Sequence, residues 1–410
     1  MIWRVLGITA LVLIVSISAI LSSDLFIKES KWDRIASDHG FGLLHWEFDN
    51  LFDKWIYRAR QVLYSDSLSE KEKVQLVEDY LSLNQEIGQL ENNINKEKAE
   101  GNGTEADIRI QQAQLADLKS KSTDIVDEVE EILEGQISGV LADGGLSLTL
   151  KLGSEAELLF PPVDFKFEAR PNLLIISPRN TIMITNTILL KPDISLEDIE
   201  NMEQMVEDLN YSGLVEGVGA IATYPSIVPQ TYSLQSVLFK VAHEWLHHYL
   251  FFRPLGQNYW ANYDMTAINE TVADIAGSEI GLFAYQRYYG IEVQGVATVS
   301  DESGSAFDFN KEMRDLRIEV DKLLGAGDID GAESYMEERR QFLAANGYYI
   351  RKLNQAFFAF HGTYADSPTS VSPIGDELRE LRNRSSSVGD FIRIAAGITS
   401  HGELLDLIDR

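Results

Sequence analysis

The apolar positions between residues 76 and 132 recur at alternating intervals of four and three residues, which is the spacing of a coiled coil. The first series consists of Leu76, Tyr80, Leu83, Ile87, Leu90 and Ile94. The second series consists of Ile108, Leu115, Leu118, Ser122, Ile125, Val129 and Ile132. A break at Gly101-Asn102-Gly103-Thr104 separates them, so the pattern predicts an antiparallel helical hairpin over residues 68–134, within a helical region of residues 25–135. The hairpin could be a spacer, could bind a coiled-coil partner, or could pack only on its own domain.

Beyond Gly135 the pattern changes to short runs of branched residues separated by Pro, Asn and Gly, which favours a small sheet. The predicted strands are residues 146–152, 163–168, 173–177, 181–185 and 214–223, with a helix near 196–209. Helical periodicity returns at residues 233–252, 265–289, 310–324, 329–346, 349–361 and 376–384. We therefore predict a mostly helical α+β protein, with an α/β core of residues 136–290 and a helical C-terminal subdomain of residues 291–410.

The N-terminus carries an uncharged apolar run at residues 5–21, close to the lower length limit of a membrane-spanning helix. Arg4 precedes the run and Asp24 follows it, so the positive-inside rule places the N-terminus in the cytoplasm. We expect residues 1–24 to be a single-pass signal anchor, with the remainder of the chain outside the cytoplasm. The alternative is a secreted protein whose signal is cleaved, but only Ser16 and Ser18 offer a small-x-small cleavage pattern.

Composition narrows the possible partners and the possible chemistry. The chain has 64 acidic and 35 basic residues and a formal net charge of −29, which repels the phosphates of nucleic acids. We therefore expect no nucleic-acid partner. The absence of cysteine excludes thiolate metal sites and a cysteine nucleophile, so that any bound metal ion must be held by His, Asp or Glu.

Residues 241–250 read VAHEWLHHYL and contain the segment H-E-x-x-H. His243 and His247 are four residues apart and therefore lie one above the other on a single helix face, where both imidazoles can reach one zinc ion. Glu244 is rotated around the helix, so its carboxylate can contact a water molecule without binding the metal ion itself. This spacing predicts half of a zinc site, with Glu244 as the general base.

A catalytic zinc ion needs a third protein ligand and an open position for water. Residues 269–274 read NETVAD on the next predicted helix, which places Glu270 and Asp274 four residues apart on one face. We expect Glu270 to be the third ligand and Asp274 to accept a hydrogen bond from the free ring nitrogen of a ligating histidine. Asn269, directly before Glu270, is expected to lie just behind the ligands.

These two segments resemble the gluzincin metallopeptidases, the superfamily that includes thermolysin-like and aminopeptidase-like enzymes. In that superfamily H-E-x-x-H is completed by a glutamate from an N-E-x-x-A or E-x-x-x-D segment on a following helix, and residues 269–274 satisfy both patterns. The resemblance covers about residues 230–290. It implies a zinc-dependent peptidase that holds one zinc ion per chain and acts on a peptide or protein substrate.

The same resemblance implies a Tyr or His donor, from a later element, for the oxyanion of the reaction. Residues 353–364 are similar to the L-N-N-A…T-Y segment of an aminopeptidase-like bacterial family, although Gln355 replaces the second Asn. This similarity favours Tyr364 over His361 as the donor. The G-A-M-E-N segment of the best-known aminopeptidases does not occur, so the choice between endopeptidase and exopeptidase stays open.

Two alternatives to a peptidase stay open at this stage. A chance H-E-x-x-H in a chain of this length has a probability on the order of one in a hundred, and the chain would then be a membrane-tethered coiled-coil scaffold. The other alternative is a relative of the metallopeptidases that binds peptides without hydrolysing them. A general base at Glu244 argues against the second alternative, because a purely structural zinc ion does not need one.

Overall fold

The computed structural model describes residues 31–43, 45–47, 50, 68–100, 104–151, 155–231, 233–290, 307–364 and 367–409. These residues form a mixed α+β, mostly helical fold, which confirms the predicted class. Among them, no helix combines the length and the apolar composition that a membrane span requires. The predicted anchor at residues 1–24 lies outside the described residues and stays a prediction.

The described helices and strands are numbered here in chain order. The helices are α1 (Glu70–Glu100), α2 (Glu105–Asp143), α3 (Leu196–Glu207), α4 (Leu234–Phe251), α5 (Pro254–Gln257), α6 (Tyr263–Tyr289), α7 (Phe309–Gly325), α8 (Ile329–Ala345), α9 (Gln355–His361), α10 (Ile374–Arg384), α11 (Val388–Ala395) and α12 (His401–Asp409). The strands are β1 (Ser147–Lys151), β2 (Glu155–Leu159), β3 (Phe165–Glu168), β4 (Asn172–Pro178), β5 (Asn186–Leu190), β6 (Tyr211–Gly217) and β7 (Ser226–Pro229).

The described residues divide into two compact units, each built from separate stretches of the chain. The sheet unit consists of the described residues that fall within Met1–Phe52, Pro171–Val218 and Glu319–Phe360. The helical unit consists of those within Asp53–Arg170, Gly219–Ile318 and His361–Arg410. This division is interleaved along the chain and differs from the consecutive segments that the sequence analysis proposes.

The sheet unit is organised around strand β4, which pairs antiparallel with β5 on one side and β6 on the other. Alternate residues of a strand point to opposite faces. Leu174 and Ile176 accordingly pack with Val206 of α3, whereas Ile175 packs on the opposite face with Ala356. Both faces are covered, which is why β4 reads as a continuous apolar run rather than an alternating one.

One strand of the sheet unit differs from its predicted position. The branched run at 181–185 was expected to form a strand, but pairing with β4 begins only at β5. The intervening residues reverse the chain direction, and the loop is closed by Ser177 Oγ donating to the Thr181 carbonyl and by the Thr185 amide donating to the Ile176 carbonyl. The turn thus uses residues that propensity alone assigns to a strand.

The helical unit contains the hairpin that the heptad spacing predicts. Helices α1 and α2 run antiparallel, because contacts between them join late residues of one helix to early residues of the other. Gln111 Nε2 donates to Glu97 at 3.0 Å, Lys119 Nζ lies 2.6 Å from Glu91, and Ser122 contacts Asn84. The C-terminal half of α2 is buried in the main core of this unit.

Two buried carboxylates of α2 bind the edge of strand β3. The amide of Phe165 donates to Glu134 at 2.9 Å, and the amide of Phe167 donates to Glu130 at 2.7 Å. The opposite edge of β3 pairs in parallel with β7, which leads directly into α4. The backbone amides at this edge of β3 are therefore hydrogen-bonded by side chains rather than by another strand. The β3–β7 pair in turn holds the start of α4 in place.

Helices α4 and α6 are the most closely packed helix pair of this unit, and two glycines of α6 face α4. A methyl group on Gly277 would lie 3.1 Å from the backbone of His243, and one on Gly281 would lie 2.8 Å from the backbone nitrogen of Phe239. The two helices run antiparallel at this contact, since the higher residue number on α6 meets the lower one on α4. Their backbones approach as closely as they do because these two positions carry no side chain.

We expect Gly281→Ala to destabilise the protein by about 1–3 kcal/mol, because a methyl group meets backbone that cannot move without separating the helices. The matched control is Gly135→Ala in α2, where an added methyl group meets open space. Alanine favours both helices by about 1 kcal/mol, so the control should be stabilised. Chemical denaturation of the two variants measures the difference, and equal stabilisation of both would contradict the close packing.

Candidate metal centre

The two histidines of H-E-x-x-H lie on helix α4, whose first turn is capped by the Ser233 side chain accepting from the Ser236 amide. On the helix face opposite the two histidines, the indole nitrogen of Trp245 donates to the Pro161 carbonyl at 2.8 Å. On the histidine face, His243 Nε2 and His247 Nε2 lie 3.0 Å apart. The spacing of four residues therefore brings the same nitrogen of each ring to one place.

Glu270 approaches this pair from helix α6. Its Oε2 atom lies 3.7 Å from His243 Nε2 and 3.6 Å from His247 Nε2. All three side chains are largely buried, and their ligand atoms all lie within 4.8 Å of one another. The group His243, His247 and Glu270 could hold a metal ion.

The outer nitrogen of each ring faces an oxygen atom on α6. Asp274 Oδ1 lies 3.0 Å from His243 Nδ1, and Asn269 Oδ1 lies 2.9 Å from His247 Nδ1. At His247, the hydrogen bond with Asn269 keeps the proton on Nδ1 and leaves the Nε2 lone pair available for a metal ion, while Asp274 makes an ion-pair contact with His243. The structure thus places both predicted supporting residues behind the imidazoles, one behind each ring.

Tyr259 is a site residue that the sequence analysis missed. Its hydroxyl donates to Glu270 Oε1 at 2.5 Å, and its ring packs edge-on against His247 with 6.4 Å between ring centroids. Tyr259 lies in the loop between α5 and α6, where no helical spacing relates it to the motif. The only available signal was an aromatic residue shortly before the N-E segment.

The imidazoles and the carboxylates of the centre alter one another's protonation. Burial alone would lower the pKa of His243, but Asp274 and Glu270 raise it well above its ordinary value. The pKa of His247 is raised in the same way, chiefly by the charge of Glu270, against the opposing effect of burial. Despite its own burial, Glu270 has a lowered pKa because the two histidines stabilise its charge.

Glu244 is buried beside these groups. Burial raises the pKa of Glu244, and the charges of Glu270 and Asp274 act in the same direction while the two histidines oppose it. The carboxyl group therefore binds a proton more readily than an exposed glutamate does. A raised pKa at a buried carboxyl group is a property of many catalytic acids and bases.

Tyr364 lies within the electrostatic field of the same carboxylates. The charge of Glu270, burial, and the charges of Asp274 and Glu244 raise the pKa of Tyr364 well above its ordinary value, so its hydroxyl keeps its proton. The adjoining backbone is tied to the start of α6, because Tyr263 donates its hydroxyl to the Gly362 carbonyl at 2.5 Å.

Two further histidines, His248 and His361, also have altered pKa values. Burial lowers the pKa of His361 to about 4, so its imidazole is neutral at pH 7. His248 packs edge-on against Tyr224 with 5.4 Å between ring centroids, and burial lowers its pKa to about 4 as well. Its position beside His247 makes it a useful control for the predicted ligands.

Comparisons with models of protein families, with curated proteins and with solved structures find no match to this chain. The centre brings together two imidazole nitrogens and the Glu270 carboxylate, and the carboxyl group of Glu244 and the phenol of Tyr364 lie in the same electrostatic environment.

We expect divalent-metal affinity to fall as the pH is lowered, with the fall beginning above pH ~6.5, the ordinary pKa of histidine. A protonated imidazole cannot bind a metal ion, and the pKa of each ligating histidine is raised in the metal-free protein. Displacing up to two protons gives a slope of up to about a hundredfold in affinity per pH unit. Titration with zinc or cobalt in metal-buffered solutions measures this slope.

The control for this titration compares two histidines on one helix. His243→Ala should abolish high-affinity binding, and His248→Gln should leave the affinity within about threefold of the wild-type value. Retention of full affinity by His243→Ala would place the metal ion elsewhere.

Proposed function

We propose that this protein is a zinc-dependent peptidase of the gluzincin type, in which His243, His247 and Glu270 hold one zinc ion. The observation that carries the proposal is the convergence of three ligand atoms from two helices beside a separate buried carboxyl group, Glu244. A structural metal site needs only ligands. A hydrolytic site also needs a group that can accept a proton, and Glu244 supplies it.

The donor set fits zinc in number, type and spacing. Zinc bonds of about 2.1 Å in a tetrahedral site separate the ligand atoms by about 3.4 Å. The measured separations of 3.0, 3.6 and 3.7 Å lie within a few tenths of an ångström of that value. Two neutral imidazoles and one carboxylate are also typical ligands of a catalytic zinc ion, whereas magnesium and calcium prefer oxygen ligands alone.

When bound, zinc would lower the pKa of a coordinated water molecule to near 7 and polarise the carbonyl group of the substrate. The Glu244 carboxylate accepts the proton that the attacking water loses and delivers it to the nitrogen of the departing amine. Its raised pKa suits both tasks, because the carboxyl group must hold the proton between the two transfers. Asp274 and Asn269 hold the imidazoles in one orientation throughout.

Tyr364 completes the proposed machinery as a hydrogen-bond donor. Negative charge develops on the carbonyl oxygen as the water attacks, and a fixed donor in a buried site stabilises that charge strongly. The Tyr364 phenol keeps its proton at neutral pH and lies in the field of Glu270. His361 is the alternative donor, and its neutral imidazole could serve the same purpose.

The proposed substrate is a peptide or protein outside the cytoplasmic membrane, to which residues 1–24 would anchor the enzyme. The acidic composition supports a partner other than nucleic acid. Helices α1 and α2 remain available as a spacer or as a docking site for a coiled-coil partner.

We expect Glu244→Gln to reduce peptide hydrolysis about 10²–10⁴-fold while the zinc content stays at one ion per chain. The amide has nearly the same shape but cannot accept the proton. The measurement pairs metal analysis with cleavage of a mixed fluorogenic peptide library by the full chain. A variant that retains both zinc and full activity would exclude Glu244 as the base, and a wild-type protein that binds zinc and peptides without cleaving them would favour the non-hydrolytic relative.

We expect Tyr364→Phe to lower kcat about 10²–10³-fold with little change in KM, because the lost hydrogen bond forms mainly in the transition state. The zinc content should not change, since the phenol is not a ligand. His361→Gln serves as the comparison. If His361→Gln shows the larger loss in kcat, the donor is His361 and the assignment of Tyr364 is wrong.

A further inference from the structure

Trp260 is exposed to a degree that is unusual for tryptophan, although it lies beside the metal centre. Its side chain is 77% exposed. Its ring packs edge-on against Tyr259 with 4.7 Å between ring centroids, and Tyr259 donates its hydroxyl to Glu270. A single aromatic ring therefore separates an open indole face from a ligand of the centre.

The exposure of Trp260 does not come from a loosely held loop. The Tyr259 amide donates to the Gly256 carbonyl at 3.1 Å, and the Ala261 amide donates to the Asn258 carbonyl at 3.0 Å. The Tyr259 carbonyl accepts from the Thr266 hydroxyl at 2.6 Å, which ties the loop to helix α6. A residue held this firmly on both sides is presented to solvent in a fixed position.

Helix α5, which precedes this loop, is also held in place, against the end of helix α4. Gly256 lies so close to the Leu250 carbonyl that a methyl group in its place would be 2.1 Å from that oxygen. The Asn262 side chain then caps α6 by accepting from the Met265 amide at 3.0 Å. The loop therefore spans from the histidine helix to the glutamate helix, and Trp260 lies within that span.

An indole presented in this way favours one kind of occupant. A large apolar side chain that lies on the open face removes apolar surface of both groups from water, and a preorganised ring loses little conformational entropy on binding. An acidic side chain would instead be repelled by the formal net charge of −29 of the chain. The surface therefore favours a large apolar group over an acidic one.

We propose that Trp260 forms the floor of a specificity subsite that binds a large apolar side chain of the substrate, next to the bond that is cleaved. This assignment rests on the proposed peptidase function and adds to it the class of substrate, namely peptides with an aromatic or large aliphatic residue at one position beside the scissile bond.

The test compares peptides that differ only in having Phe or Ala beside the cleaved bond, with the zinc-loaded full chain as enzyme. Wild type should prefer the Phe peptide by roughly tenfold or more in kcat/KM. Trp260→Ala should reduce this preference to near unity, chiefly by lowering kcat/KM for the Phe peptide, while the zinc content stays at one ion per chain. Trp260→Phe should restore part of the preference, because it returns an aromatic surface.

The matched control is Phe283→Ala. Phe283 is an exposed aromatic residue on helix α6, 41% exposed, and lies about 20 Å from Glu270 along the helix. This variant should keep the wild-type preference for Phe. A preference that survives in Trp260→Ala, or that is lost equally in Phe283→Ala, would overturn the assignment.

Binding measurements separate failure of the subsite from failure of the peptidase proposal. Glu244→Gln, loaded with zinc, should bind the Phe peptide about tenfold more tightly than the Ala peptide, and Glu244→Gln with Trp260→Ala should not distinguish them. If no form of the protein cleaves any peptide but this difference in affinity is present, the subsite stands and the hydrolytic function fails. If Trp260→Ala weakens only the binding of the protein to phosphatidylcholine vesicles, Trp260 is a membrane contact and the subsite is wrong.

Discussion

The close contact between helices α4 and α6 is the constraint on which the rest of the site depends. Each helix supplies only part of the candidate metal centre, and the parts meet because Gly277 and Gly281 let the two backbones approach without an intervening side chain. Helices usually pack with axes 8–10 Å apart, and larger residues at the contact increase that distance. A shift of even one ångström would separate the Glu270 oxygen from the two imidazoles. The residues that set the geometry are therefore ones with no chemistry of their own.

The centre concentrates charge in a buried place, which is costly for a protein unless each group is compensated. Compensation here is reciprocal. The histidines stabilise the charge of Glu270, and Asp274 and Asn269 engage the outer nitrogens of the rings. Glu244 is the exception, because burial and its acidic neighbours favour its protonated form. The site thus combines several charged groups that compensate one another with one carboxyl group, Glu244, that binds a proton more readily than an ordinary glutamate does.

The sequence predicts those parts of the site that depend on spacing along one helix. His243 with His247, and Glu270 with Asp274, follow from four-residue intervals, and Asn269 follows from its place beside Glu270. Tyr259 and Trp260 could not be found this way, because a loop imposes no fixed relation between residue number and side-chain direction.

The same reasoning explains which parts of the fold the sequence predicts. The long amphipathic helices carry strong periodic signals and β4 is a continuous apolar run, whereas β2 and β7 are short and β5 is displaced by a turn that uses branched residues. The interleaving of the two units depends on which distant segments pair, and local patterns do not contain that information.

The hydrogen bond from Tyr259 has a consequence for the number of open positions at a bound ion. A carboxylate can offer one oxygen atom or both, and the second oxygen of Glu270 is already occupied by a phenol proton. This hydrogen bond would favour monodentate binding of an ion through Oε2. With the two imidazoles, Glu270 would then fill three positions of a four-coordinate ion, and the fourth would remain for an exchangeable ligand. Tyr259 would not contact the ion, yet its hydrogen bond would help to keep one coordination position of the ion vacant.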